Sequence, residues 1–497
     1  MFSAFQKFGR LGASASAAPF SPTKLFAAGE AGGVWDFTTL ANLYQDSTGT
    51  TPCTAVGDPI GLVLDTKNGT PQLGPELVTN GDFSDGATGW TVDGDDWVIS
   101  TGAATKKTVG YANGYFYRIV NTTGKPTIRV DVTVSVNTTD SGLNLNYNGS
   151  SYTVSTIKTG IYSFTISGGA NANLKIRNHT SSAGQLVITN ISVREIPGNH
   201  LTQSTSTKRP VLGRMPATGV RNLLVNTATL STQNVTTVAG SYTIQFTGAG
   251  SVTASGTYSG TLTNGQTFTC TAGTLTLTVS GSVTNAQLEA GSTATAYQKV
   301  GAAYDITESG VASVYTAYFD GVDDCLVSPS IDFSGTDKST IWAGYSRRLN
   351  TAGRKGLVYA VADPNIAISS FGFSTPGDPN TAYLEIRGTQ KSAQLFGAVA
   401  DTYVATAEYD LAGGSYANNT KLRLNGSQIS GDASANPTTG GGSFGAGPVT
   451  IGALPGEIGC FGGFLNAACT RGAATDAATV TSMEKWLAAR TPGVTLP

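Results

Sequence analysis

Polar and apolar residues alternate along much of the chain. The clearest run is 127–136, where every second side chain is apolar, as in a β-strand with one buried face. Asn-Gly dipeptides at 80–81, 113–114 and 148–149 predict tight turns between such runs. Together these patterns predict an all-β protein.

A helical period is clear only near the end of the chain. Pro492-Gly493 follows that stretch and would stop a helix there. Apolar residues recur on one face after a cap at Thr475 or Asp476, namely Ala477, Val480, Met483 and Leu487. We expect this one helix to pack across one end of a β-sandwich.

Changes in pattern divide the chain into regions. Residues 1–75 form an N-terminal region, and residues 76–197 form a jelly-roll-like β-sandwich. A polar linker, 198–220, leads to a small β-sandwich at 221–300, and residues 301–497 form a larger sandwich with the C-terminal helix. The small sandwich repeats the plan of the first: its opening NLLVN echoes ELVTN, and its closing VTNAQLE echoes ITNISVRE.

The N-terminal region carries few apolar side chains for its length. Phe26, Trp35 and Phe37 could form a small apolar face, and small regions of this kind often need a partner to cover it. We therefore predict that residues 1–75 dock onto another protein through these three side chains.

Composition excludes several classes of protein. Charged residues make up 12% and the net charge is -2, which argues against nucleic-acid binding. No apolar run reaches the ~20 residues of a membrane-spanning helix, and the first residues make a poor secretion signal. Five widely spaced cysteines form no CxxC pair and predict buried thiols of a protein made in a reducing cytoplasm: Cys53, Cys270, Cys325, Cys460 and Cys469.

Several short segments resemble known families. Residues 76–83 (ELVTNGDF), with Gly89-Trp90 and the closing ITNISVREI, resemble carbohydrate-binding modules of the galactose-binding-like jelly-roll type. The sequence YFDGVDD at 318–324 and the terminal helix resemble concanavalin A-like (laminin G-like) lectin domains. Residues 286–297 and the segments KLF, GVW and YQD of the N-terminal region resemble bacteriophage tail-fibre and other virion proteins.

The resemblance implies a structural protein of a phage particle: a tail fibre, a head fibre or a capsid decoration. It implies a homotrimer on the virion surface that is made in the host cytoplasm, contacts other virion proteins and projects its sandwiches for attachment, with host surface glycan as a further partner. The alternatives are a receptor-binding adhesin proper and a polysaccharide depolymerase.

Sugar binding needs exposed aromatic rings with amides or carboxylates beside them. In the first sandwich the candidate rings are Trp97, Tyr111, Tyr115 and Tyr117, while Trp90 occupies a position that the resembling modules use for a core residue. A core position is an alternative for Trp97. Tyr115 and Tyr117 alternate with their neighbours and therefore share one face of a strand.

Carboxylates raise two further hypotheses. Asp320, Asp323 and Asp324 could supply part of a calcium site, although Asp-Gly and Asp-Asp are also ordinary turn sequences, and the turn is the preferred interpretation. Structural calcium is the one cofactor considered. Glycoside hydrolysis needs two carboxylates that flank the bond, and Glu385 and Glu408 lie outside any such motif. We assign no catalytic residue and expect no enzyme activity.

Overall fold

The structure, a computed structural model, describes part of the chain. The described residues are 20–49, 51–69, 74–107, 114–125, 127–138, 142–155, 157–168, 170–178, 185–348, 353–363, 367–375, 381–397, 402–433 and 438–497. They fold almost entirely into β-strands arranged as packed sheets, with little helix. The predicted all-β, multi-sandwich class is confirmed.

The strands are numbered in chain order. Those of the N-terminal segment and the first sandwich are β1 (Ala31–Asp36), β2 (Leu43–Tyr44), β3 (Leu62–Val63), β4 (Thr91–Asp93), β5 (Trp97–Ser100), β6 (Ala103–Lys106), β7 (Tyr115–Asn121), β8 (Thr127–Asn137), β9 (Leu143–Tyr147), β10 (Ser150–Val154), β11 (Gly160–Ser167), β12 (Asn171–Asn178) and β13 (Leu186–Glu195). Those of the connector and the small sandwich are β14 (Leu201–Thr202), β15 (Val211–Pro216), β16 (Gln233–Thr237), β17 (Gly240–Thr247), β18 (Ser251–Gly256), β19 (Gly260–Leu262), β20 (Thr267–Cys270), β21 (Gly273–Ser280) and β22 (Thr284–Ala290).

The remaining elements belong to the last part of the chain. Its strands are β23 (Gln298–Val300), β24 (Ile306–Glu308), β25 (Ser313–Asp320), β26 (Leu326–Val327), β27 (Ile331–Asp332), β28 (Lys338–Arg347), β29 (Lys355–Ala360), β30 (Ser370–Thr375), β31 (Thr381–Arg387), β32 (Lys391–Gly397), β33 (Thr402–Asp410), β34 (Thr420–Leu424), β35 (Ser427–Ile429), β36 (Gly431–Ala433), β37 (Ala446–Gly447), β38 (Val449–Ile451) and β39 (Gly462–Gly472). The helices are α1 (Tyr416–Asn419), α2 (Ala477–Ala488) and 3-10 turns at Pro22–Phe26, Leu40–Asn42 and Ser206–Lys208.

The first sandwich packs two antiparallel sheets against each other. One sheet has the order β10-β9-β12-β7-β4 and the other the order β11-β8-β13-β6-β5 in the described residues. The predicted strand at 127–136 is β8, whose alternate residues Val130, Val132 and Val134 are buried. Asn148 and Gly149 both have positive φ, at 47° and 81°, and form the tight turn between β9 and β10, as predicted.

The small sandwich repeats the plan of the first, as its sequence predicts. Its described strands form the sheets β16-β21-β18-β19 and β20-β17-β22. In each sandwich the entry segment runs along the closing strand: the Leu77 N–H donates to the Val193 carbonyl, and the Leu223 N–H donates to the Leu288 carbonyl. Asn80 and Asn226 then turn the chain at the same point, with φ of 54° and 52°. Asparagine tolerates this left-handed conformation better than most residues.

The large sandwich is assembled from three separate stretches of chain. Its first described sheet has the order β15-β25-β39-β28-β33-β34-β35, with β1 paired to β39. Its second has the order β2-β3-β14-β26-β38-β29-β30-β31-β32-β36. The N-terminal segment and the connector therefore supply strands to the C-terminal unit. The two smaller sandwiches are insertions into its chain path, which the sequence-based division at residues 75 and 220 does not anticipate.

The three side chains predicted to dock onto a partner are instead buried against the large sandwich, two of them between its sheets and one on an outer face. Trp35 and Phe37 are completely buried between its sheets, and Phe26 is 6% exposed against the outer side of β39. The indole Nε1 of Trp35 donates to the Asn199 carbonyl at 2.8 Å. Pairing of β1 with β39 supplies the apolar partner that the N-terminal region needs, so these rings are unavailable for docking. Residues 1–19 lie outside the described residues.

A buried histidine joins the N-terminal segment to the connector. His200 Nδ1 accepts a hydrogen bond from the Asp65 N–H at 2.8 Å, which requires the neutral ring. The Asp65 carboxylate in turn accepts the N–H groups of Val34 and Asn199. Burial lowers the pKa of His200, in keeping with this neutral state. The contact is structural, because both segments belong to one sandwich.

Helix α2 begins where the sequence predicts. The Asp476 carboxylate caps it by accepting the Thr479 N–H at 2.9 Å, and Val480, Met483 and Leu487 are buried. These side chains pack on the outer face of the first sheet of the large sandwich, against strands β28 and β33, rather than across its end. The reason is that the outer face carries apolar side chains of its own, such as Trp342.

Candidate glycan-binding face

One face of the first sandwich combines aromatic, amide and cationic side chains. On strand β7, Phe116 and Val120 point into the core, so Tyr115 and Tyr117 point outward and are half-buried. Their ring centroids are 5.7 Å apart, with a 49° angle between the ring planes. The two tyrosines form a continuous aromatic surface on the outside of the sheet.

Strands β12 and β9 place polar side chains beside the tyrosines. Lys175 lies opposite Tyr117 on one side and Asn146 on the other. Arg177, two residues along the same face, lies opposite Asn144. We call this set the polar-aromatic face: Tyr115, Tyr117, Asn144, Asn146, Lys175 and Arg177.

Hydrogen bonds fix several of these side chains. The Asn144 amide nitrogen donates to the hydroxyls of Ser151 and Thr153 on β10, at 2.8 and 2.7 Å. Its carbonyl oxygen accepts the Nε–H of Arg177 at 3.0 Å. Lys175 Nζ lies 4.6 Å from the centre of the Tyr115 ring and 3.4 Å from its hydroxyl. The side chains are thus oriented before any ligand arrives, which reduces the entropy lost on binding.

The polar-aromatic face surrounds a shallow cavity of about 200 Å³. Five residues line it: Tyr115, Asn144, Asn146, Lys175 and Arg177. Drug-sized ligands occupy pockets of about 300–1,000 Å³, so this cavity fits a smaller group such as one sugar ring.

The structure separates the four predicted aromatic candidates. Tyr115 and Tyr117 lie together on the polar-aromatic face. Trp97 is 2% exposed and packs edge-on against Phe116 at 4.8 Å, so it belongs to the core, which was its alternative assignment, and offers no stacking surface. Trp90 is also in the core, as predicted. Tyr111 lies outside the described residues.

Sequence reasoning missed the four polar members of the face. Asn144 and Asn146 alternate with buried leucines in LNLNY, and Lys175 and Arg177 alternate with Leu174 and Ile176 in NLKIR. This alternation was a usable signal that they point away from the core. The sequence does not show that β9, β12 and β7 are neighbours, because the pairing joins segments about 30 to 60 residues apart.

The predicted acidic cluster is brought together by its turn. Ligand oxygens of Asp320, Asp323 and Asp324 lie within 4.8 Å of one another. Asp324 is buried and accepts the Asp320 N–H at 2.8 Å, while the Asp320 carboxylate accepts the Val322 N–H. Burial, with the nearby charges of Asp320 and Asp323, raises the pKa of Asp324 to about 7. These bonds match the turn interpretation of the sequence.

The two glutamates considered for hydrolysis lie on different sheets. Glu385, on β31, forms ion pairs with Arg354 and Lys391 and accepts a hydrogen bond from the Tyr359 hydroxyl at 2.7 Å. Glu408, on β33, belongs to the opposite sheet, where burial raises its pKa. The pair does not face a shared cleft.

Three other features bear on the earlier predictions. All five cysteines are buried free thiols, as predicted. A larger cavity of about 550 Å³ lies in the large sandwich. Among its lining residues, Lys67 donates a hydrogen bond to the Gly32 carbonyl, and the one aromatic ring, that of Phe333, is fully buried. This cavity therefore offers no exposed ring on which a sugar could stack. None of the helices in the described part of the chain has the length and apolarity needed to cross a membrane.

Comparison with known proteins finds low structural similarity. No family model matches the chain, and no curated protein is similar in sequence. Among solved structures, the CBM40 module of a Ruminococcus gnavus IT-sialidase, bound to α2,3-sialyllactose, is 15% identical with a TM-score of 0.24, over 31% of this chain and 83% of that one. Mouse laminin α1 domains LG4-5 are 10% identical with a TM-score of 0.24, over 71% and 85% of the two chains.

A tandem CBM22 pair from Paenibacillus barcinonensis Xyn10C is 7% identical with a TM-score of 0.23, over 80% of this chain and 98% of that one. These three neighbours are named as carbohydrate-binding modules and laminin G domains. The likeness carries no argument about ligand or activity, which must come from the site itself.

Proposed function

We propose that this chain is a glycan-binding protein and that the polar-aromatic face of its first sandwich is the binding site. The observation that carries the proposal is the pair of adjacent, half-exposed rings, Tyr115 and Tyr117, beside a cavity lined by amides and cations. Sugars present apolar C–H faces that stack on such rings, and their hydroxyls need the donors and acceptors that Asn144 and Asn146 supply.

We propose binding without catalysis at this site. Hydrolysis of a glycosidic bond requires two carboxyl groups on either side of it. Of the described residues that point outward from this sheet, Asp93 on β4 is the one acid, and it lies at the edge beside Tyr115. A depolymerase would need a second carboxylate facing it.

The wider role that we propose is attachment from the surface of a phage particle. It is supported by the resemblance of residues 286–297 and of the N-terminal segments to virion proteins. A homotrimer would present three such faces, and several weak sugar contacts acting together give strong attachment. Imaging the native particle with an antibody against this chain tests the location, and mass photometry tests the trimer.

Glycan binding is tested with the full chain and two variants, Tyr115→Ala and Tyr117→Ala. On a microarray of bacterial surface polysaccharides we expect wild type to bind, and each variant to bind the same glycans about tenfold more weakly because one stacking surface is lost. Ile161→Ala is the matched control, since Ile161 is 66% exposed on the opposite sheet of the same sandwich.

Circular dichroism should show all of these proteins equally folded, because the replaced side chains are surface residues. Equal binding by wild type and both tyrosine variants would place the site elsewhere. If the wild-type protein binds no polysaccharide on the array, the result contradicts glycan binding.

A further inference from the structure

The two cations of the polar-aromatic face have no acidic partner among the residues that the structure describes. Neither Lys175 nor Arg177 forms an ion pair within the described part of the chain. Several partly buried arginines elsewhere hold a carboxylate, as Arg423 holds Glu484, whereas Arg118 and Arg209 donate to backbone carbonyl groups instead. On the polar-aromatic face, two cations on the same side of one strand lack a carboxylate partner among the described residues.

The two cations are also close together. Lys175 and Arg177 are two residues apart on one strand and point to the same side, so their Cα atoms are about 7 Å apart. Like charges at this distance repel each other, most strongly where the sheet shields them from water. An anion between them would remove that repulsion and gain two charge-assisted hydrogen bonds.

Arg177 is held in a position to donate. Its Nε–H is engaged by the Asn144 carbonyl oxygen at 3.0 Å, which fixes the plane of the guanidinium group. The two terminal nitrogens make no hydrogen bond to any described residue, and Arg177 is one of the residues that line the cavity. A guanidinium group fixed in this way presents the paired donors that match the two oxygens of a carboxylate or sulfate.

The face offers little negative charge of its own. Asp93, on β4, is separated from β12 by strand β7 and makes no ion pair with either cation among the described residues. Asn144 and Asn146 are neutral, and the Tyr115 ring is in cation–π contact with the Lys175 ammonium group. Among the described residues of the face, no acid therefore balances the positive charges of Lys175 and Arg177.

We infer that the glycan bound at this face is acidic, with a sugar carboxylate or sulfate seated between Lys175 and Arg177 and the sugar ring on Tyr115. This inference rests on the proposed function and names the class of sugar. Both possible groups, the planar carboxylate and the tetrahedral sulfate, are oxyanions carried by a saccharide.

The test is affinity electrophoresis of the full chain through gels that contain one polysaccharide each. Polygalacturonate is compared with its methyl ester, which has the same backbone without the charge, and dextran sulfate is compared with neutral dextran. We expect retardation by polygalacturonate but not by its ester. Lys175→Gln and Arg177→Gln should each weaken retardation about tenfold, because each removes a charge-assisted hydrogen bond.

Lys299→Gln is the matched control, since it removes one positive charge from an exposed position on β23. Retardation by dextran sulfate alone would identify sulfate as the acidic group. Equal retardation by polygalacturonate and its ester, unchanged in the Lys175 and Arg177 variants, would overturn the inference while leaving glycan binding in place. The inference would also be overturned if neither polygalacturonate nor dextran sulfate retards the protein while the microarray shows binding to neutral sugars.

Discussion

Replacing Trp35 with alanine is expected to destabilise the large sandwich by about 3–5 kcal/mol, the usual cost of removing a large buried aromatic side chain. The reason is that Trp35 is completely buried between the two sheets and donates a hydrogen bond to Asn199. Denaturation of the full chain with guanidinium, followed by tryptophan fluorescence and circular dichroism, measures the loss.

Two controls make the Trp35 result specific. Trp35→Phe keeps a ring in the core and should cost less, about 1–2 kcal/mol, from the lost hydrogen bond and volume. Thr54→Ala changes an exposed residue of the same segment and should have little effect. A Trp35→Ala protein of normal stability that failed to join its particle would instead support the docking role predicted from sequence.

The second large effect is a fall in stability with rising pH at Asp324. Its pKa is about 7 in the folded chain, against an ordinary value near 4, because the carboxyl group is buried beside Asp320 and Asp323. A raised pKa means that the folded state holds the proton more tightly than the unfolded state does. The contribution of Asp324 to the free energy of unfolding is therefore fully present below pH 4. It falls by on the order of 2–4 kcal/mol as the pH rises to 7.

Asp324→Asn removes this titration and keeps an oxygen that can accept the Asp320 N–H. The free energy of unfolding of this variant, relative to wild type, should rise from pH 4 to pH 7 and then level off. Asp85→Asn, at an exposed position of the first sandwich, is the control for the replacement of aspartate by asparagine.

Calcium distinguishes the two interpretations of the acidic cluster. With the turn interpretation, millimolar calcium leaves the unfolding midpoint of wild type unchanged at pH 8. A calcium-dependent rise that disappears in Asp324→Asn would show that the cluster is a metal site.

Local patterns predicted the local structure well. The alternation at 127–136 predicted β8, the Asn148-Gly149 turn predicted the β9–β10 hairpin, and Asp476 predicted the start of α2. Each depends on residues close together in sequence. The pairing of β1 with β39 joins residues more than 400 positions apart, for which no local signal exists. Trp35 and Phe37 were therefore interpreted as an unpartnered face.

The same reasoning explains how much of the site was predicted. Tyr115 and Tyr117 share a strand, so their common face followed from period-2 spacing alone. Lys175, Arg177 and Asn144 reach the same face from two other strands, through a sheet order of β9-β12-β7 that is not the chain order. The sequence left Trp97 with two assignments, a stacking ring or a core residue. In the structure Trp97, on β5, packs against Phe116 on β7, which shows that it is a core residue.

The chain path of the large sandwich determines how the proposed binding site is attached. Both ends of the first sandwich connect to strands of the large one, β3 before it and β14 after it, and these two strands pair with each other. An insertion between paired strands is attached at two neighbouring points. The polar-aromatic face thus belongs to a unit tethered by both of its ends, and Trp35 variants should disturb that tether rather than the face.

The most direct test of the central claim is a structure of the full chain with a bound acidic oligosaccharide, such as trigalacturonate. We expect density for a sugar ring over Tyr115 and Tyr117, with its carboxylate within 3 Å or so of Lys175 and Arg177. Density for the ligand on the large sandwich, with Tyr115 and Tyr117 bare, would contradict the account.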